Sequence, residues 1–138
     1  MSQENVEIVR RAFEASRRPD QRQGNPEAIF EFLDPTIVWE VRSDFPDAET
    51  YTGYEGMRRL FAAFREALDE TWYRPLEFID GGDQIVVPIR WGGRGRGSGI
   101  EIAESEEFWV FTLRNGKIVH VREYADRNPA LEAAGLRE

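Results

Sequence analysis

Between residues 107 and 126 the chain sets Glu107, His120, Arg122 and Asp126 among Trp109, Phe111 and Tyr124. Carboxyls and an imidazole can accept and return a proton, a guanidinium can hold an oxygen that becomes negative, and aromatic surroundings exclude water. A carboxyl in such surroundings titrates nearer neutrality than one in solvent, as acid/base chemistry requires.

Which of these groups meet depends on strand pairing. Asn115 and Gly116 lie between two strand patterns, and an Asn-Gly pair in that position signals a two-residue hairpin turn. With that turn and unbroken alternation, Leu113 opposes Ile118, Phe111 opposes His120, Trp109 opposes Arg122, Glu107 opposes Tyr124 and Ser105 opposes Asp126. All of them then share one face, and Val110, Thr112, Val119 and Val121 form the opposite, packing face. The first face has the character of a binding site, mostly apolar with a few converging polar groups.

Each member also has a plain structural use. Glu107 and Arg122 are diagonal neighbours able to pair, His120 stands near a hairpin end, the rings can serve as core, and Asp126 can be a turn residue. Metal chemistry is not expected, because a single histidine with scattered carboxylates gives no ligand spacing and the chain has no cysteine. No G-x-S-x-G elbow supports a serine nucleophile.

Other elements must position these residues. Val6, Val9 and Phe13 recur at helical spacing in the first helix, which Pro19 ends. Asn25 and Pro26 open a second, short helix carrying Ala28, Ile29, Phe30 and Leu33. TIVWEV (36–41) reads as a strand and carries Trp39 and Glu40. Thr52 and Glu55 have the spacing of a capping box ahead of a helix with Met57, Leu60 and Phe61 on one side. From residue 71 the period changes to two, giving strands near 84–97, 100–113 and 117–125. Asn128 and Pro129 open a last helical piece that Gly135 stops.

The stretch RWGGRGRGSG (90–99) tests the alternation. No helix follows it and no Lys-Ser/Thr pair closes it, so it is not a phosphate loop. A net charge of −8 opposes nucleic-acid or anionic membrane partners. Read as one long strand, it puts Trp91, Gly93, Gly95, Gly97 and Gly99 on one face and Arg90, Arg94 and Arg96 on the other, toward solvent. The bare glycine face either lets the sheet curve or leaves room for a ligand.

At 138 residues the chain is expected to form a single domain over 1–138. No apolar run approaches the roughly 18 residues of a membrane span, and the acidic, helically spaced start is unlike a signal peptide. A cytoplasmic location is the expectation.

Helices followed by antiparallel strands describe an α+β fold. The order of elements, together with ENVEIVRRAFEA, DPTIVWE, FIDGGDQIVV, TLRNGKIVHVREYADR and ALEAAGL, resembles the SnoaL-like branch of the nuclear transport factor 2-like (NTF2-like) superfamily over nearly the whole chain. The resemblance implies a cone-shaped barrel in which a strongly curved, mostly antiparallel sheet wraps around helices, with a pocket at one end and homodimers common. It also implies chemistry by side chains, without a cofactor. The superfamily includes polyketide cyclases, ketosteroid isomerases, epoxide hydrolases, dehydratases and proteins that only bind.

Asp126, ahead of PALEAAGL, stands where SnoaL-type cyclases carry an acid/base aspartate. Glu40 stands where ketosteroid isomerases carry their general base. The isomerases' oxyanion donors fall at Ala12 and Trp109, so steroid isomerisation is not expected.

The resulting expectation is a pocket for a small hydrophobic carbonyl compound, walled by Trp39, Trp91, Trp109, Phe111 and Tyr124. Asp126 or Glu40 would act as base, Glu107 as a further carboxylate, and His120 or Arg122 would polarise oxygen. The alternative is a non-catalytic small-molecule-binding or dimerisation module of the same fold. Buried carboxylates around an open cavity favour the enzyme, and a cavity filled by Trp39, Trp91 and Trp109 favours the module.

Overall fold

The structure, a computed structural model, describes residues 2–16, 26–42, 49–95 and 97–136. The expected cap at Asn25 and the outward Arg96 lie outside the described residues. Helix α1 spans Ser2–Ser16 and a 3₁₀ helix spans Pro26–Phe32. Strands β1 (Leu33–Glu40) and β2 (Thr50–Thr52) precede α2 (Gly53–Ala67). Strands β3 (Leu68–Pro75), β4 (Ile79–Asp80), β5 (Gln84–Gly95), β6 (Glu101–Arg114) and β7 (Lys117–Tyr124) follow, and α3 (Arg127–Ala133) closes the order. The second helix is thus 3₁₀, and β1 begins three residues before the strand read from the sequence. Thr52 directly precedes α2, but Glu55 turns to Arg58 at 2.9 Å instead of completing a capping box.

The strands form one unclosed sheet in the order β2-β1-β7-β6-β5-β3, with β4 paired to β5. Every pairing is antiparallel except β1 with β7, which is parallel. One sheet face and the helices enclose the main core. Val9 and Phe13 of α1 and Met57 and Leu60 of α2 meet Ile37, Ile85, Val87, Ile89, Phe111, Leu113, Ile118 and Val121 from the strands, all buried. Each such side chain contributes roughly 1.5–3 kcal/mol by leaving water.

The other sheet face is partly covered by α3, whose Ala130 and Leu131 pack on Val86, Phe108 and Val110. Gly135 stops α3 at φ 74°, and the Leu136 N–H donates to the Leu131 carbonyl at 2.8 Å, the hydrogen bond that closes many helices.

The glycine-rich stretch is not one strand. β5 ends at Gly95, and Gly97 and Gly99 have φ of 86° and 69° in the turn leading to β6. The pairing of β5 with β6 shifts by one residue between Trp91 and Gly93, with the extra residue in β6, so β5 itself keeps its alternation up to Gly95. Gly97 and Gly99 therefore make a turn and not a wall. Arg94 is exposed, and Arg90 is half-exposed with Glu106 3.9 Å away, so these two arginines face solvent as the alternation predicts.

Candidate functional site

The Asn115-Gly116 turn forms as expected, with both residues at positive φ and Leu113 opposite Ile118. The pairing then departs from the expectation. Thr112 opposes His120, Phe111 opposes Val121, Val110 opposes Arg122, Trp109 opposes Glu123 and Phe108 opposes Tyr124. Val119 is an extra residue in β7, a bulge that turns every later side chain to the other face. His120, Arg122 and Tyr124 thus lie on the outer face, away from Glu107, Trp109 and Phe111. Val121 and Glu123 take the inner places.

That exchange puts two carboxyls side by side inside the fold. Glu107 and Glu123 are 3% and 5% exposed, the buried charged residues of the described chain. Indole N–H groups hold both: Trp109 donates to Glu107 Oε1 at 2.8 Å, and Trp39 donates to Glu123 Oε2 at 2.7 Å. Arg42, just past the end of β1, joins the two. Its guanidinium reaches Glu107 Oε2 at 3.4 Å, and its backbone N–H reaches Glu123 Oε1 at 3.4 Å. Among the described residues the buried Trp91 N–H has no hydrogen-bond partner, although it is near enough to draw Glu107 weakly toward its charged form.

Burial pushes the Glu107 carboxyl above its ordinary value, against the Trp109 N–H and the Arg42 charge. Glu123 is pushed up to about 7, first by burial and then by the charge of Glu107, with the Trp39 N–H and the Arg42 backbone N–H opposing. The Arg42 guanidinium bonds Glu107, whereas Glu123 receives the Arg42 backbone N–H and a smaller pull from the guanidinium charge. The pair divides accordingly, with Glu107 the better-compensated charge and Glu123 the group that gains and loses a proton near neutrality. Such a pair can take a proton from a carbon acid or return one to it.

A cleft of about 620 Å³ reaches Glu123 of this pair but not Glu107, and is lined also by Glu40, Arg42, Glu49, Arg122 and Asp126, with Tyr124 beside them. The cleft brings together Glu40, Arg122, Tyr124 and Asp126 from the residues expected to form the site. His120 stands behind Glu40, with its Nε2 2.5 Å from Glu40 Oε2. Asp126 is exposed at the start of α3, and its side chain makes no cap hydrogen bond.

Trp39, Trp91, Trp109 and Phe111 are not among the residues lining this cleft; they belong to the inner core. Trp109 lies 5.2 Å from Trp39 edge to face, 6.1 Å from Phe13 and 6.0 Å from Tyr73, ring centre to ring centre. The rings of Trp39, Trp109 and Phe13 therefore pack on one another while the two carboxyls stay buried beside them. Among the described residues, no group of three or more His, Cys, Asp or Glu could hold a metal ion, and no helix is long and apolar enough to cross a membrane.

Glu123 is the residue that reading the sequence missed. Ile118, Val119 and Val121 are β-branched on both parities, so the run KIVHV carries no visible phase break and the bulge is hidden.

A curved, unclosed sheet with helices against its inner face is the architecture of NTF2-like proteins. One of these, from Burkholderia thailandensis, superposes with a TM-score of 0.77 at 26% identity, covering 96% of this chain and 97% of that one. A protein from Jannaschia sp. CCS1, proposed to be a SnoaL-like polyketide cyclase, superposes at 0.74 with 21% identity over 99% of this chain and 95% of that one. TerC, co-crystallised with polyporic acid, superposes at 0.74 with 21% identity, covering 96% of this chain and 98% of that one. The family model described as the SnoaL-like domain matches residues 9–121, and the chain belongs to that family. No curated protein matches the sequence.

Proposed function

We propose that the protein is a cofactor-independent acid/base enzyme of cyclase or isomerase type, acting on a small hydrophobic carbonyl compound in the cleft beside Glu123. The observation that carries the reading is the buried carboxyl pair, in which Glu123 has its proton equilibrium near neutrality and lines the cleft. Glu123, as carboxylate, removes a proton from the carbon next to the carbonyl. The C–H electrons become the C=C bond of an enolate, the carbonyl electrons move to oxygen, and the proton on Glu123 returns to the same or another carbon. Glu107 and Arg42 hold the charge balance behind it. The relatives proposed to be polyketide cyclases support chemistry at a carbonyl.

In this reading Asp126 and Glu40, the bases expected from family position, are rim residues of the same cleft. Neither is buried as Glu123 is. His120 acts through Glu40, and the aromatic residues set the environment of the carboxyls.

The test follows deuterium uptake from D₂O at the carbon beside the ketone of phenylacetone, by proton NMR. The protein is expected to speed uptake, and Glu123→Gln to reduce the rate by about a hundredfold or more. Uptake that persists in that variant would exclude Glu123 as the base. A second reading, the non-catalytic binding module, is favoured by the mutual packing of Trp39, Trp109 and Phe13. It predicts no acceleration by the unaltered protein.

A further inference from the structure

Three indole N–H groups lie around the acid pair, and two of them are bonded to it. Trp109 donates to Glu107 and Trp39 to Glu123, whereas the buried Trp91 N–H is bonded to nothing among the described residues. A buried donor left open is costly in a folded protein and calls for a cause. Its position supplies one. Trp91 of β5 stands opposite Ser105 and Ile89 stands opposite Glu107, so Trp91 and Glu107 are diagonal neighbours on the inner face of adjoining strands. Trp91 is also held apart from the packed rings, with no ring contact among the described residues. Gly93, the next residue on its side of β5, has no side chain to obstruct the indole.

The need for a donor at Glu107 changes with the proton on Glu123. While Glu123 is protonated the pair carries one negative charge, on Glu107, met by the Trp109 N–H at 2.8 Å and the Arg42 guanidinium at 3.4 Å. Once Glu123 ionises, the Arg42 charge acts on two carboxylates, and Glu107 keeps a smaller share of it. A carboxylate has about four acceptor positions and draws donors closer when it is charged. The other charged groups near Glu123 are those of the cleft, where Glu40 is bonded to His120 and Glu49 to Arg59, with Arg122 and Asp126 beside them. The other titratable side chains of the core are Tyr51, Tyr54 and Tyr73, of which Tyr54 donates to the Leu33 carbonyl at 2.9 Å and Tyr73 to Ser16 Oγ at 2.7 Å.

We infer that Trp91 is an exchangeable donor to the acid pair, its indole N–H closing on Glu107 when Glu123 gives up its proton and opening when the proton returns. The inference rests on the reading of Glu123 as the proton carrier and adds Trp91 to that site as a positioning residue, acting on the proton through Glu107.

NMR of the indole N–H groups tests it on the unaltered protein. The chain has four tryptophans and so four such signals, with that of Trp91 identified by its through-space contacts and by its loss in Trp91→Phe. From pH 5 to pH 9 the Trp91 proton is expected to move downfield, as an N–H does on gaining an acceptor, with the same midpoint of about 7 as the Trp39 proton bonded to Glu123. Glu123→Gln should abolish both movements. In phenylacetone exchange, Trp91→Phe should raise the pH of half-maximal rate by about 0.5–1 unit, the effect of one lost hydrogen bond on the doubly charged pair. Loosened packing alone would lower the rate without moving that midpoint. A Trp39 signal that titrates while that of Trp91 stays in place, or a midpoint that Trp91→Phe leaves unaltered, overturns the role of Trp91 while Glu123 stands. If neither signal moves, or if exchange survives Glu123→Gln, the underlying reading falls and the inference with it.

Discussion

Glu123 titrates near 4.5 in an unfolded chain and about 7 in the folded protein, because burial and the charge of Glu107 disfavour its ionised form. Between those values the folded protein holds a proton that the unfolded chain has released. Stability from this group is therefore complete below about pH 4.5, falls as pH rises toward 7, and levels off above it. The difference of about 2.5 pH units corresponds to about 3 kcal/mol. Glu123→Gln keeps an acceptor for the Trp39 N–H and cannot ionise. Urea unfolding at pH 5 and pH 8 should show the loss of stability in the unaltered protein, smaller by about 3 kcal/mol in the variant; equal slopes would mean that Glu123 is not the titrating group. The variant that ends catalysis is thus expected to be the more stable protein at pH 8, the relation found where active sites hold strain. Glu107, Trp109 and Phe111 were legible in the sequence as one face, since alternation along that part of β6 is unbroken. Glu123 was not, because one extra β-branched residue in the facing strand reverses the parity without changing the composition.

At the scale of elements, β5 and its neighbours show which patterns survive translation into structure. The Asn115-Gly116 turn was readable because its backbone needs φ of 52° and 76°, which few residue pairs tolerate. The α3 stop at Gly135 was readable for the same reason. Gly97 and Gly99 do not continue the glycine face of β5, and composition does not mark where that face ends because glycine suits a strand and a turn alike. Gly92, passed over in reading the sequence, has a definite role: it is buried opposite Trp72, and a Cβ there would come within 3.0 Å of the indole. Trp72 is 38% exposed, so it can move aside at modest loss. Gly92→Ala should lower stability by about 1 kcal/mol and expose Trp72 further, read as a red shift in fluorescence. Trp72→Phe in the same background should recover part of the loss, and no change in either signal would show that the indole does not need the bare backbone.

Across the whole molecule, the sheet separates two apolar layers, with α1 and α2 on one face and α3 on the other. The family and its cone were legible because segments along nearly the whole chain keep their order. The parallel contact of β1 with β7 was not, since nothing local marks which strands become neighbours. That contact also dictates when the site can exist. The hydrogen bonds that assemble it join residues 84, 81, 80 and 65 positions apart, whereas the β6 and β7 hairpin closes over two turn residues. Contacts between distant segments are entropically expensive to close and form late. In refolding followed by pulsed hydrogen exchange, the hairpin amides should gain protection first and the Arg42 amide, bonded to Glu123, among the last. A nascent chain would then acquire its acid pair only once its final strand has been made and docked, so that the chemistry is withheld from every shorter intermediate.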